Sequence, residues 1–135
     1  MIDRHRHTKE IEIRWRDLDA FGHVNHASFV TFLEEGRDEW LERAIGSNDD
    51  AMSFIIRRVE VDYTSQLVLA DDRVRVTVEL ERIGTSSLTT VEEMHVIDDD
   101  RLVAAARCVL VHVGTEHERA VPIPPALRAR FEPPA

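Results

Sequence analysis

Residues 17–26 place two carboxylates, two imidazoles, an amide and a glycine within one short segment, Asp-Leu-Asp-Ala-Phe-Gly-His-Val-Asn-His. Carboxylates and imidazoles act as nucleophile, general base or general acid in many enzymes. The segment precedes a stretch with helical periodicity, so it should lead into a helix N-terminus. Free backbone N–H groups and the positive dipole end favour an anion or a polarised carbonyl oxygen there. We therefore place the candidate chemistry of the chain in this segment.

Each polar residue of the segment also has a structural interpretation. Asp17 and Asp19 could cap a turn through local hydrogen bonds, and spacing alone favours that interpretation. Gly22 indicates either a turn with positive φ or a close approach of substrate to the backbone. His23 and Asn25 could orient a carboxylate, line a pocket or serve as hydrogen-bonded scaffolding.

The segment lies between a predicted strand and a predicted helix. Residues 9–16 alternate, with Ile11, Ile13 and Trp15 on one face, which is typical of a half-buried strand. From about Ala27 to Ile45 apolar residues recur at helical spacing, with Asn25 or Ser28 as the candidate N-cap and Gly46 at the C-terminal end. The predicted buried face of this helix comprises Phe29, Phe32, Leu33, Gly36, Trp40, Leu41 and Ala44.

The rest of the chain is predicted to be strand and turn. Four strands are expected at about 54–66, 73–83, 86–97 and 101–113, followed by a short helical turn within 126–131. One helix with so broad an apolar face needs a sheet to cover it. The sequence therefore predicts an α+β fold, with a curved antiparallel sheet of about five strands wrapped around one long helix. We expect residues 1–135 to form a single domain, with 1–8 and 126–135 as peripheral tails.

Composition narrows the class of protein. The 135 residues carry a formal net charge of −9, with 32% charged and 43% hydrophobic residues, which is typical of a soluble globular protein. Nonspecific nucleic-acid binding needs a concentrated basic surface, so we expect no nucleic-acid partner. No apolar run has membrane-spanning length and no secretory signal is visible, so we expect no membrane partner and a cytoplasmic location. The single cysteine, Cys108, cannot form an internal disulfide and is predicted to lie in the core.

Residues 17–25, followed by the helical sequence Phe-Val-Thr-Phe-Leu-Glu-Glu-Gly-Arg-Asp-Glu-Trp-Leu at 29–41, resemble hot-dog-fold thioesterases of the 4-hydroxybenzoyl-CoA thioesterase type. The bacterial acyl-CoA thioesterase branch has a similar pattern of an aspartate, a Gly-His-Val-Asn-Asn-like loop and a helix with Phe-Leu-Glu-Glu-Ala-Arg. Residues 61–63, 83–87 and 102–104 are similar too. The resemblance implies acyl-CoA hydrolysis with no cofactor beyond the coenzyme A of the substrate. It also implies a homodimer joined edge to edge, with interface active sites, and commonly a homotetramer.

The same resemblance assigns roles in residues 17–26. Asp19 matches the catalytic aspartate, acting on the thioester carbonyl carbon as nucleophile or as general base for water. The backbone N–H of His26 matches the oxyanion donor. Gly22, His23 and Asn25 remain supporting site candidates. The sequence departs from the pattern at His26, where a second asparagine is usual, and at Gln66, where a proline is common.

Other candidate residues lie outside this segment. Glu34 flanks the apolar face of the helix and is a secondary catalytic candidate, because some hot-dog thioesterases carry a glutamate on this helix. Arg37 falls within the apolar face and is predicted to form an ion pair, with Glu34 and Asp38 nearby or with a dimer partner. Coenzyme A phosphates need cationic or hydroxyl-rich contacts, for which the candidates are Arg57, Arg58, Arg82, Thr85, Ser86 and Ser87.

The histidines of the N-terminal part do not suggest a metal. His5, His7, His23 and His26 lack the cysteine or carboxylate spacing that completes a recognisable ligand set, so we expect no metal site. Two alternatives to a thioesterase stay open. One is a hot-dog hydratase or dehydratase acting on an acyl thioester, and the other is a non-catalytic acyl-CoA binding module.

Overall fold

The computed structural model describes residues 6–46, 53–114 and 119–132. Its strands are β1 (Arg6–Glu12), β2 (Phe54–Tyr63), β3 (Arg73–Ile83), β4 (Ser87–Val96) and β5 (Leu102–His112). Its helices are α1 (His26–Ile45) and α2 (Pro125–Arg128). The five strands form one antiparallel sheet in the order β1-β3-β4-β5-β2, and α1 packs against β1, β3 and β4. The predicted α+β fold is confirmed.

Helix α1 has the ends and the buried face that its sequence predicts. The side chain of Asn25 accepts a hydrogen bond from the N–H of Ala27, and Gly46 ends the helix in the left-handed conformation with φ 77°. All seven residues predicted for the apolar face are buried. Gly36 lies where the helix crosses β3, and a Cβ there would stand 2.5 Å from Cγ1 of Val76. A glycine therefore allows α1 to lie closer to the sheet than a larger residue would.

Arg37 forms its ion pair with the sheet, not with its neighbours on the helix. Its Nε and Nη2 donate to the two carboxylate oxygens of Glu92 on β4, at 2.7 and 2.8 Å, and Thr90 Oγ1 donates to the same carboxylate at 2.7 Å. The prediction of an ion pair is confirmed, but the suggested partners Glu34 and Asp38 are wrong. Both of these residues are exposed, because they lie on the side of α1 that faces away from the sheet.

Strand β1 is displaced from its predicted position. It begins at Arg6 and ends at Glu12, and residues 15–17 form a 3₁₀ turn instead of continuing the strand. Asp17 stabilises this turn by accepting hydrogen bonds from the backbone N–H and the guanidinium of Arg14. The turn changes the direction of the side chains, so Trp15 is 80% exposed and its predicted inward position is wrong. Ile11 and Ile13 are buried as predicted.

The terminal segments contribute more to the fold than expected. Residues 6–8 belong to β1, so the part of the N-terminus that the structure describes is not peripheral. The predicted helical turn near the C-terminus is present as α2, and Phe131 beyond it is only 1% exposed. Its ring lies 5.8 Å from that of Trp40 and 6.2 Å from that of Phe54, so this residue covers one end of the core between α1 and the sheet. Among the described residues, no helix combines the length and the apolar character needed to cross a membrane.

Candidate active site

Residues 18–24 form a tight loop between the 3₁₀ turn and α1. Leu18 and Val24 pair across its base, and the N–H of Asp19 donates to the carbonyl of His23 at 2.7 Å. At the tip, Gly22 has φ 81°, a conformation that residues with a side chain rarely adopt, and Phe21 is 87% exposed. The prediction that Gly22 supplies a positive φ is therefore confirmed.

The carboxylate of Asp19 is held by the backbone of its own loop. Its Oδ1 accepts hydrogen bonds from the N–H groups of Phe21 at 2.8 Å and His23 at 3.1 Å. Within the described ranges, its Oδ2 has no hydrogen-bond partner. The side chain thus caps its turn with one oxygen and leaves the other available to a substrate or a water molecule. The structural and the chemical interpretations of this aspartate are compatible.

The first turn of α1 leaves one backbone donor without an acceptor in the part of the chain that the structure describes. Ala27 donates its N–H to the Asn25 side chain at 2.9 Å, while Ser28 and Phe29 donate theirs to the Asn25 carbonyl at 2.8 and 3.3 Å. The N–H of His26 makes no hydrogen bond to any residue that the structure describes. A free N–H at the positive end of a helix dipole is suited to a developing oxyanion. The residue predicted as oxyanion donor is the one whose N–H is free.

Several contacts fix this loop to the rest of the protein. The carboxyl group of Asp17 is buried, and its carbonyl accepts a hydrogen bond from the N–H of Asn25 at 2.8 Å. The Val24 N–H donates to the carbonyl of Leu67, and His23 pairs with Val68, so the loop is joined to the connection between β2 and β3. These contacts give Asp17 a structural role. The side chain of Asn25 caps the helix and does not hydrogen-bond Asp19.

Tyr63 is a neighbour of the site that sequence reasoning did not assign to it. Its hydroxyl donates to the carbonyl of His26 at 3.1 Å, and its ring meets that of Phe29 edge-on at 5.2 Å. In the sequence, the only signal for Tyr63 is its place as the last residue of segment 61–63, which is similar to the thioesterase pattern. Because 37 residues separate the two partners, no local pattern could reveal the contact.

The other predicted site residues lie farther from the loop. Glu34 is exposed on α1, two turns after the helix start. Arg82 on β3 and Arg58 on β2 lie in one row across the sheet, and two strands separate them. The residues between them are Thr89 of β4 and Val109 of β5. At the usual strand spacing the two arginines are therefore about 14 Å apart. Arg57 occupies the irregularity in the register of β2 next to Arg58.

The β3–β4 turn contains the hydroxyl residues of the predicted coenzyme A site. Thr85, Ser86 and Ser87 lie in or at the end of this turn, close to Arg82. Their backbone is held by the C-terminal segment, since the Ile123 N–H donates to the Thr85 carbonyl at 2.9 Å. The turn is therefore a fixed element at the same end of the sheet as both arginines.

Neither a metal nor a thiol nucleophile is indicated by the described residues. They contain no group of three or more histidine, cysteine, aspartate or glutamate side chains that could hold a metal ion, and His5 lies outside them. Cys108 is buried as predicted, and burial raises the pKa of its thiol to about 11. A neutral, buried thiol is a poor nucleophile at physiological pH.

Comparison with known proteins identifies the family of the chain. Residues 13–131 match the thioesterase-like superfamily. The chain is 25% identical over 131 residues to the long-chain acyl-CoA thioesterase FadM of Escherichia coli strain K12, covering 91% of this chain and 95% of FadM. It is 27% identical over 126 residues to the acyl-CoA thioester hydrolase YbgC of Escherichia coli O6:H1, covering 90% and 92%.

Solved structures show the same architecture. A thioesterase from Thermus thermophilus, complexed with coenzyme A and Zn, is 32% identical with a TM-score of 0.81, over 92% of this chain and 90% of that chain. A predicted thioesterase from Bacillus stearothermophilus is 31% identical with a TM-score of 0.82, over 93% of each chain. Together with the match over residues 13–131, these similarities show that the chain belongs to the thioesterase-like superfamily and has the hot-dog fold.

Proposed function

We propose that this protein hydrolyses acyl-CoA thioesters to a free acid and coenzyme A, with Asp19 as the catalytic carboxylate and the His26 N–H as oxyanion donor. One observation carries the proposal: a carboxylate oxygen and a helix N-terminal N–H, both without a hydrogen-bond partner among the described residues, belong to the same ten-residue segment. The activities named for FadM and YbgC support the substrate class.

Two routes are compatible with this pair of groups. In the first, Asp19 takes a proton from water, the resulting hydroxide attacks the carbonyl carbon, and the C–S bond breaks. The proton then passes to the departing thiolate. In the second, the carboxylate itself attacks, the thiolate leaves, and water hydrolyses the acyl anhydride. Both routes place negative charge on the carbonyl oxygen, where the His26 N–H stabilises it.

A panel of acyl-CoA substrates tests the proposed activity. We expect the purified protein to release free thiol from at least one of short-chain, medium-chain, long-chain or aromatic acyl-CoA, as measured with a thiol reagent. The products should be the free acid and coenzyme A by mass spectrometry. An intact thioester altered by water would instead support a hydratase or dehydratase, and binding without thiol release across the panel would support a non-catalytic module.

The exposed site leads us to propose a homodimer. Strand β2 pairs only with β5 among the described strands, which leaves its other edge open, and Ile56 on this strand is 43% exposed. A long open edge with exposed apolar side chains is suited to pairing with another strand. The site lies beside the end of β2, where Tyr63 contacts His26. A second copy added at this edge would therefore cover the site.

Light scattering after size exclusion tests the assembly. We expect a mass of about twice the 15.5 kDa of one chain, or four times if the dimers associate further as the resemblance implies. Ile56→Lys should shift the protein toward monomer, because a buried lysine would destabilise the strand pair. A wild-type mass of one chain at micromolar concentration would contradict the dimer.

We further propose that the coenzyme A phosphates bind near the β3–β4 turn. Support comes from the hydroxyl side chains of this turn and from Arg58 and Arg82, which lie at the same end of the sheet. Hydroxyl and guanidinium groups are the usual partners of phosphate oxygens.

A further inference from the structure

We propose that Tyr63 is a positioning residue, which orients the His26 N–H toward the thioester carbonyl by holding the first turn of α1 against the end of β2. The inference rests on the proposed function, since it concerns the oxyanion donor of that reaction. It assigns a catalytic consequence to a side chain that need not touch the substrate.

The contact between Tyr63 and His26 lies at the first turn of α1. Tyr63 is the last residue of β2, opposite Ala104 of β5, so its backbone is fixed within the sheet. Its hydroxyl reaches the carbonyl of His26, and its ring packs on Phe29, one turn further along α1. Among the hydrogen bonds of the described residues, this is the only one that joins a strand of the sheet to the first turn of α1.

The peptide that carries the free N–H lies between two anchored peptides. On its N-terminal side, Asn25 donates its N–H to the carbonyl of Asp17 at 2.8 Å. On its C-terminal side, the carbonyl of His26 accepts the hydroxyl of Tyr63. The peptide between Asn25 and His26 offers its N–H to substrate, and its own carbonyl accepts the N–H groups of Ser28 and Phe29. Its orientation therefore depends on the placement of the whole first turn of α1, which Tyr63 holds against β2. Oxyanion donors act only when they point at the place where charge develops.

The hydroxyl is not needed to satisfy a buried group. The His26 carbonyl also has the N–H four residues further along the helix as a partner. Removing the hydroxyl therefore leaves no buried acceptor unpaired, and phenylalanine keeps the ring contact with Phe29. We expect the loss to affect the direction of the donor more than the stability of the fold.

Tyr63→Phe tests the inference, with Thr64→Val as the matched control. Thr64 also donates a hydroxyl to a backbone carbonyl, that of Leu102 at 2.8 Å, but this bond does not touch α1. We expect Tyr63→Phe to lower kcat about tenfold, a part of what loss of a whole oxyanion donor costs, with KM changed less than about twofold. The Tm should fall by no more than about 4 °C. Thr64→Val should keep the wild-type kcat.

Three kinetic outcomes would overturn the assignment: an unchanged kcat in Tyr63→Phe, a loss confined to KM, or an equal loss of kcat in Thr64→Val. A spectroscopic measurement separates this proposal from the proposed hydrolysis. The probe is an acyl-CoA ketone analogue, in which a methylene replaces the thioester sulfur, with a ¹³C-labelled carbonyl. Its infrared carbonyl stretch should be lowered on wild-type protein and lowered less on Tyr63→Phe.

Thiol release and the carbonyl stretch together distinguish a failure of the positioning role from a failure of the proposed hydrolysis. A shifted carbonyl on a wild-type protein that releases no thiol would leave the positioning role intact and overturn the hydrolysis. Equal carbonyl frequencies on wild type and Tyr63→Phe would overturn the positioning role whatever the turnover. A wild-type protein that neither binds the analogue nor releases thiol would overturn both.

Discussion

Asp19→Asn is expected to lower thioester hydrolysis by roughly 10²–10⁴-fold, the usual effect of removing a catalytic base, while the loop keeps its shape. Asparagine retains the Oδ1 that accepts the N–H groups of Phe21 and His23, so the turn-capping hydrogen bonds survive. The change replaces the unpartnered oxygen by an amide nitrogen that cannot accept a proton or attack a carbonyl. The measurement is kcat/KM for thiol release, together with Tm and mass in solution.

The control changes another turn carboxylate, one that lies outside the loop of residues 18–24. Asp99 also accepts a backbone N–H two residues on, from Arg101 at 3.1 Å, in the turn between β4 and β5. Asp99→Asn should leave thiol release at the wild-type rate. If Asp19→Asn retained near-normal turnover, the carboxylate would be a turn cap only, and a different group would have to supply the chemistry.

Arg37→Met is expected to destabilise the protein by about 3–5 kcal/mol, because it leaves the carboxylate of Glu92 buried without its counterion. Arg37 is 1% exposed and Glu92 is 1% exposed, so water cannot replace the lost partner. Burial disfavours the charged guanidinium, but the hydrogen bonds and negative charge of Glu92 outweigh it and raise the pKa of Arg37. Urea unfolding followed by circular dichroism measures the change in the free energy of unfolding.

Two further variants test whether burial of the ion pair causes the expected loss of stability. Arg37→Met combined with Glu92→Met replaces the pair by apolar side chains and should recover much of the lost stability, since no isolated charge remains. Arg107 binds Glu81 with the same two-pronged geometry, at 2.8 and 2.8 Å, but on the exposed side of the sheet. Arg107→Met should therefore shift the urea midpoint very little. A small effect of Arg37→Met would mean that water or another cation reaches Glu92.

The sequence alone predicted the elements whose signals are local. The apolar spacing of α1, its two candidate caps Asn25 and Ser28, and its Gly46 terminus all depend on residues within a few positions of one another. The structure has the apolar face and the Gly46 terminus, and it selects Asn25 as the cap. The bounds of β3 agree with the prediction for the same reason, since Val74, Val76 and Val78 alternate with polar residues and are buried. The sequence also predicted that the candidate chemistry lies in residues 17–26, and the roles predicted for Asp19 and His26 came from the family resemblance.

Only the tertiary structure decided which groups meet. The partner of Arg37 lies 55 residues away, and the carbonyl that Tyr63 binds lies 37 residues away. Trp15 is exposed because a 3₁₀ turn interrupts the alternation, and Phe131 is buried because the C-terminal segment returns to the open end of the core. These contacts depend on sheet register and on the placement of α1 across it, which local periodicity does not contain. That the N–H of His26 is free also follows from three-dimensional hydrogen bonding, because it is known only once each neighbouring N–H has found its acceptor.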